Sequence, residues 1–125
     1  MDISINLKGK IMEKSLNKVE LRGHVGQDPK IITLDNGSQL TRFTLATNEN
    51  YRTKSNEWKE ETMWHNIAAW SSKSMPEFGK IKKGMFIELV GKIRYVKYKP
   101  KEGEDKVYTE IMAHKIVVPV IDQKE

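Results

Sequence analysis

Residues 19–47, VELRGHVGQDPKIITLDNGSQLTRFTLAT, contain three strand patterns in succession and decide the fold class. Over residues 19–25, apolar or small side chains alternate with polar ones, which is the two-residue period of a half-buried strand. Residues 31–34 and 40–47 are apolar runs on either side of Asn36-Gly37. Asn-Gly between apolar runs is a strong hairpin signal because both residues tolerate positive φ. The stretch therefore predicts an all-β domain.

Three more strands and one helix are predicted downstream. The strands are residues 63–70, 85–98 and 107–118. Residues 73–81 are predicted to form one short helix, with Pro76 suited to its first turn. The polar residues 48–62 are expected to form a long loop or a mobile hairpin, and residues 99–105 a charged loop. With the hairpin at residues 31–47 counted as one strand position, the order is strand, strand, strand, short helix, strand, strand. This order predicts an OB-fold, a five-stranded Greek-key barrel with one short helix, which binds oligonucleotides across one face.

Composition limits the function classes. The 125 residues suit one domain, and the absence of cysteine excludes disulfides and thiolate metal sites. Lys and Arg number 22 against 17 Asp and Glu, a formal charge of +5, and this excess favours a polyanionic partner. No run approaches the roughly 20 apolar residues of a membrane span, so we expect a cytoplasmic protein without membrane contact.

The expected domain is residues 17–119. Residues 1–16 are expected to be an N-terminal extension, either disordered or added ahead of the natural start, for which Met12 is a candidate. Residues 120–125 are expected to form a short C-terminal tail.

Large aromatic side chains lie on one face of the strand at residues 63–70. The two-residue period places Trp64 and Trp70 together and the smaller Ile67 and Ala69 opposite them. Because small apolar side chains suit a crowded barrel interior, the tryptophans are expected to face outward, and exposed large aromatics require a reason. Their Cα atoms would lie about 20 Å apart, which suits successive nucleotides on an extended strand.

Other aromatics lie inside basic stretches. Tyr51 is followed by Arg52 and Lys54, and Tyr98 lies between Lys97 and Lys99. Bases of unpaired nucleic acid stack on rings for roughly 1–3 kcal/mol each, while cations follow the phosphates. The expected phosphate-binding residues are Arg52, Lys54, Lys73, Lys82, Lys83, Arg94, Lys97 and Lys99. Taken singly, each aromatic is more often a packing residue, and we assign Phe43, Phe78 and Phe86 to packing.

The sequence offers no catalytic constellation. His24, His65 and His114 are far apart and lack companions at metal-ligand spacing, so no metal or cofactor is expected. Glu60-Glu61 lies in a charged segment rather than as a placed acid–base pair. We therefore expect a binding protein and not an enzyme.

Several short segments resemble those of the bacterial and phage single-stranded DNA-binding proteins, in the same order and spacing. They cover roughly residues 17–118: Asn17-Lys18-Val19, Gly26-Gln27-Asp28-Pro29, Leu45-Ala46-Thr47-Asn48, Thr62-Met63-Trp64-His65, Lys82-Lys83-Gly84 and Val90-Gly91-Lys92-Ile93. The resemblance implies an OB-fold, assembled as a homotetramer, that binds and protects single-stranded DNA during replication, recombination and repair. It also implies that the protein is associated with the nucleoid.

The resemblance also implies site residues. The family's base-stacking positions correspond to Tyr51, Trp64, Trp70 and Tyr98. Tryptophan is common where Tyr51 and Tyr98 stand, and phenylalanine is common where Trp70 stands, so a ring is kept at each position. The family's acidic C-terminal tip, which recruits replication and repair proteins, is not found in Asp122-Gln123-Lys124-Glu125. Either the tail was truncated or this is a short member of the family without the tip, and these two alternatives decide whether partners are recruited through it.

Three alternatives remain at the level of sequence. A primosome-type OB accessory protein would also bind single strands, but it more often lacks the full aromatic set. An OB-type protein-interaction module would bind no nucleic acid, and a nuclease would need a catalytic cluster. The resemblance further suggests residues 18–25 as the strand edge for oligomerisation.

Overall fold

The computed structural model describes residues 4–5, 11–12 and 14–119. The expected C-terminal tail at 120–125 and most of the expected extension at 1–16 lie outside these residues. Within that extension, β1 (Ser4–Ile5) pairs antiparallel with β2 (Ile11–Met12).

Six strands form the main sheet. They are β3 (Val19–Val25), β4 (Lys30–Thr33), β5 (Gln39–Arg52), β6 (Trp58–Trp70), β7 (Phe86–Tyr98) and β8 (Lys106–Val117). The neighbour order is β3-β7-β8-β6-β5-β4, and a further β3–β5 pairing closes five of these strands into a barrel with β4 outside it. The β6–β8 pair is parallel and the others are antiparallel. The predicted OB-fold is confirmed.

The barrel interior is filled from alternate positions of its strands. One buried cluster contains Phe43 and Leu45 of β5, Ile67 of β6, and Ile87 and Leu89 of β7. Within it, Phe43 pairs directly with Ile67 across the strands. Phe43 and Phe78 are buried as predicted. Phe86 is half-buried and packs against the ring of His24, with ring centroids 5.1 Å apart. Burial of these side chains supplies the main driving force for folding.

Two mid-strand glycines mark close backbone approaches in this small barrel. A Cβ at Gly91 would overlap the carbonyl oxygen of Met112, and Gly91 lies at a register shift between β7 and β8. A Cβ at Gly23 would overlap the carbonyl oxygen of Ala46. Both positions therefore require a residue without a side chain, as is common where barrel strands bend.

The predicted helix at residues 73–81 is reduced to one 3₁₀ turn, Phe78–Lys80. Pro76 lacks a backbone N–H and disfavours helical geometry at Met75, so no helix forms ahead of the turn. Phe78 and Ile81 are both buried in the core. Apolar residues three positions apart suggest a helix, but here each of the two packs separately into the core from a short connection between strands.

The polar residues 48–62 form a paired hairpin, which we call the arm. Cross-strand pairs continue from Asn48 with Thr62 to Arg52 with Trp58. Thr53 closes the end by accepting from the N–H of Asn56 at 2.9 Å. The hairpin alternative is confirmed and the long loop is wrong. Both sides of the arm are exposed, so its strands carry no apolar alternation.

Among the described residues, none of the helical segments is long and apolar enough to cross a membrane.

Candidate nucleic-acid interface

Four strands, in the order β5–β6–β8–β7, present a common outward surface, which we call the outer face. Directly paired residues point to the same side of a sheet. The pairs Leu40 with Trp70, Ala68 with Met112 and Arg94 with Glu110 therefore place their side chains on one surface. By the same register the outer face includes Arg42, Trp64, Asn66, Trp70, Lys92, Arg94, Tyr98, Tyr108, Glu110 and Met112.

The two sides of β6 differ sharply in exposure. Trp64 and Trp70 are 62% and 44% exposed, whereas Ile67 and Ala69 are 1% and 0% exposed. The predicted inward and outward sides are therefore correct at these positions. Ala68 shares the outer side with the tryptophans but is buried, because its small side chain lies between Arg42 and Met112 on the neighbouring strands.

Trp64 packs against the backbone at Gly26. A Cβ at Gly26 would collide with the Trp64 ring, so the absence of a side chain there lets the indole lie against the backbone. The N–H of Gly26 donates to the carbonyl of Thr44 at 2.8 Å. The same segment is fixed from the other side, where Asp28 Oδ1 accepts from the N–H of Lys83 at 2.8 Å. These contacts give the Gly-Gln-Asp-Pro and Lys-Lys-Gly segments a structural role, which is to fix the backbone beside Trp64.

Trp70 borders a groove at the other end of β6. The groove is lined by Met75 and Met112 together with the ammonium group of Lys92 and the imidazole of His114. An indole beside thioethers and an ammonium group can accept a flat base while the phosphate of that nucleotide contacts the positive charge of Lys92.

Tyr98 lies at the β7 end of the outer face and contacts Tyr108 on β8. Their ring centroids are 5.6 Å apart, with the rings tilted by 58°. This distance is within the range of favourable aromatic pairs. Tyr108 therefore supports Tyr98 while Tyr98 itself stays exposed.

Tyr51 lies on the opposite side of the arm. It pairs with Lys59, whereas Arg52 pairs with Trp58 on the side continuous with Trp64. The Arg52 guanidinium carbon lies 5.0 Å from the Trp58 ring centroid, a cation–π contact. The structure thus brings Trp64, Trp70 and Tyr98 onto one face and leaves Tyr51 exposed on the other side of the arm.

The expected phosphate-binding residues fall into two groups. Arg94 is held by Glu110, with Nη2 to Oε1 at 2.7 Å. The others are exposed or half-exposed and make no ion pair within the part of the chain that the structure describes. Those residues are Arg52, Lys54, Lys73, Lys82, Lys83, Lys97 and Lys99.

Two histidines contribute to packing on the barrel. Thr47 Oγ1 lies 2.9 Å from His65 Nε2, and burial lowers the pKa of His65 below its ordinary value of 6.5. His24 packs against Phe86. In the described part of the chain there is no group of three His, Cys, Asp or Glu residues placed to hold a metal ion.

A family comparison agrees with this geometry. The model of the single-strand binding protein family matches residues 16–119. The chain belongs to this family. The single-stranded DNA-binding proteins of Neisseria meningitidis serogroup A (strain Z2491) and serogroup B (strain MC58) are each 33% identical to it over 102 residues. The match covers 82% of this chain and 59% of each relative, so the chain spans little more than half the length of these relatives.

Two solved structures of family proteins are also similar. The Plasmodium falciparum SSB in complex with ssDNA has a TM-score of 0.73 and 34% identity, covering 85% of this chain and 95% of that one. A deletion variant of the single-stranded DNA binding protein from Thermus aquaticus has a TM-score of 0.72 and 23% identity. It covers 90% of this chain and 54% of that one, and it supports the fold alone.

Sequence reasoning missed four features of the outer face: Gly26 under Trp64, Trp58 under Arg52, Tyr108 beside Tyr98, and the Arg42–Glu110–Arg94 cluster. Strand parity could have found Tyr108, because it precedes Glu110 by two residues on β8. The other contacts depend on how distant strands pair, and no local sequence pattern predicts them.

Proposed function

We propose that this chain binds single-stranded DNA without sequence preference, coats and protects unpaired strands during replication, recombination and repair, and catalyses no reaction. The observation that carries this proposal is the exposure of Trp64, Trp70 and Tyr98 on one face of the barrel. Every base has a stackable face, so rings bind strands of any sequence. The similarity to a protein solved with ssDNA supports the same function.

The stacking residues would be Trp64, Trp70, Tyr98 and Tyr51. The first three would contact successive parts of a strand that crosses the outer face. Tyr51 would extend the path to the other side of the arm, so the strand would bend around it. Arg52, Lys54 and Lys99 lie next to these rings or in the adjoining turns, where phosphates of the same strand would pass.

The experiment is a titration of tryptophan fluorescence with oligo(dT) at several salt concentrations. We expect quenching on binding, with log K falling against log salt by about 0.7 for each phosphate neutralised. Duplex DNA of the same length is the competitor. Duplex that competes as well as oligo(dT), or an absence of quenching and of salt dependence, would contradict the proposal. The second result would favour a protein-interaction module.

We further propose that the chain assembles as a homotetramer through the edge of β3. Residues 19–23 pair only with β7 among the described strands, so the other edge of β3 has backbone groups available to a second copy. Unpaired strand edges are common sites of association between subunits. Light scattering at micromolar concentration checks this, and a mass of 14.5 kDa alone would refute it. Replication and repair proteins would be the partners of the assembled complex.

A further inference from the structure

One buried carboxylate on the outer face is bound by two arginines. Glu110 on β8 is 1% exposed. Arg94 on β7 donates from Nε and Nη2 to Oε1 at 2.9 and 2.7 Å, and Arg42 on β5 donates from Nε to Oε2 at 3.0 Å. A buried carboxylate is costly unless it is paired. One guanidinium suffices for that pairing, so the second leaves the cluster with net positive charge at the surface.

The two arginines differ in what they have left to donate. Arg94 directs two of its nitrogens at Glu110, whereas Arg42 directs only Nε. Both terminal nitrogens of Arg42 have no hydrogen-bond partner among the described residues, and its side chain is 44% exposed. A guanidinium fixed at one edge presents its remaining planar fork of donors, and that fork matches the oxygens of a phosphate.

Arg42 lies in a groove between the stacking residues. The groove is lined by Lys30, Arg42, Thr44, Asn66, Tyr108 and Glu110 among others. Asn66 follows Trp64 by two residues on β6, and its Nδ2 donates to the carbonyl of Thr109 at 3.3 Å. Tyr108 contacts the Tyr98 ring. The groove therefore connects the Trp64 part of the outer face with the Tyr98 part.

We propose that this groove binds a phosphodiester group of the single strand, with the terminal nitrogens of Arg42 and the ammonium of Lys30 as ligands. Glu110 and Arg94 are positioning residues that hold Arg42 by its Nε edge. The inference rests on the proposed function and adds to it a phosphate contact between two stacking areas. A strand that stacks on Trp64 and on Tyr98 must carry its charged backbone past this groove, and the surplus positive charge meets it there.

The first test compares Arg42→Gln with Lys80→Gln. Each variant loses one positive charge, but Lys80 lies in the 3₁₀ turn after the core residue Phe78, and its one ion pair among the described residues is with Glu77. For oligo(dT) binding we expect the salt slope of Arg42→Gln to be shallower than wild type by about 0.7, and that of Lys80→Gln to be unchanged. Equal slopes for wild type and Arg42→Gln would overturn the inference.

The second test needs no variant, so it holds if Arg42→Gln fails to fold. Wild-type protein is treated with the arginine reagent phenylglyoxal, with and without saturating oligo(dT), and modification is located by mass spectrometry. Arg22 is the internal reference, since it lies on β3, outside the outer face, and is also held by a carboxylate through Nε at 2.7 Å. Oligo(dT) should slow modification of Arg42 several-fold and leave Arg22 unchanged.

The outcomes separate the two proposals. Wild type that binds oligo(dT) but shows equal Arg42 modification in both states overturns the groove site alone. Wild type that does not bind oligo(dT) overturns the proposed function and the groove site together.

Discussion

The strand β6 has two parts with different surroundings. Over residues 67–69 it pairs with β5 on one side and β8 on the other, and its side chains are buried. Over residues 58–63 it pairs with β5 alone, as part of the arm, and every side chain is exposed. Trp64 lies where the two parts meet, on the outer side and beside Gly26.

This difference separates what stabilises the molecule from what is available for binding. In the barrel part, side chains are enclosed by several strands, so a change in volume leaves a cavity or a clash. In the arm, rings and cations face solvent and contribute little to burial. Substitutions in the barrel should therefore change the free energy of unfolding, and substitutions on the outer face or in the arm should change affinity.

The largest effect is expected in the barrel. Phe43→Ala removes a side chain that is buried opposite Ile67, and we expect a loss of about 3–5 kcal/mol in the free energy of unfolding. Urea denaturation followed by circular dichroism measures it. Trp58→Ala in the arm is the matched aromatic control and should change stability by about 0.5 kcal/mol or less. Comparable losses in the two variants would show that the barrel and the arm do not differ in this way.

A second variant removes the arm. Residues 48–62 are replaced by Asn-Gly, which suits a two-residue hairpin loop and joins β5 to β6 at the Thr47–Met63 pair. We expect a cooperatively folding barrel, since the arm contacts no core residue by strand pairing. Affinity for oligo(dT) should fall by at least about 1–3 kcal/mol, the share expected of one stacking ring, because Tyr51 is lost together with the cations Arg52 and Lys54. Loss of cooperative unfolding would mean that the arm belongs to the folding unit.

A smaller effect is expected from single cations near the stacking residues. Lys97→Gln removes an exposed charge one residue from Tyr98, and the log–log salt slope should become shallower by about 0.7. The preference among oligo(dT), oligo(dA) and oligo(dC) should not change, because a phosphate contact carries no base information. An unaltered slope would identify Lys97 as ordinary solvated surface.

The smallest effect concerns pH. Burial lowers the folded-state pKa of His65 below 6.5, so the unfolded chain binds a proton more readily than the folded chain does. Above about pH 6.5 the ring is neutral in both states, and His65 then costs the folded state no stability. As pH falls from there toward the folded-state pKa, the unfolded chain binds a proton first and the folded state loses stability. The melting temperature should therefore decrease less from pH 7.5 to pH 5.5 in His65→Gln than in wild type. An identical fall in both proteins would remove His65 as a source of the pH dependence.

Local patterns predicted the barrel well because each barrel strand has one buried and one exposed side. The alternation of Val19, Leu21, Gly23 and Val25 marks β3, and the small size of Ile67 and Ala69 beside two tryptophans marks the inner side of β6. The arm escaped this reasoning because both of its sides are exposed. The helix prediction failed because Phe78 and Ile81 are separate core anchors and Pro76 interrupts the segment.

The candidate site was predicted in part for the same reason. Parity along one strand is local information, and it correctly placed Trp64 and Trp70 outward. Tyr51 was predicted as a stacking residue from its basic neighbours and from the family resemblance, and that assignment stays a prediction. Local parity could not show its position, because the continuation of β5 into the arm is what puts Tyr51 on the other side. The Glu110 cluster joins residues 16 and 68 positions away, so it depends on strand register that only the three-dimensional structure supplies.

The most direct test of the account is to measure unfolding free energy and oligo(dT) affinity side by side for Trp64→Ala and Trp70→Ala, with Phe43→Ala as the contrast. Each tryptophan variant should lose about 1–3 kcal/mol of binding free energy and far less stability than Phe43→Ala, because an exposed ring leaves no core cavity. Phe43→Ala should unfold early but bind normally per folded molecule. If the tryptophan variants unfold early and bind as wild type per folded molecule, these rings are packing residues and the outer face is not the binding surface.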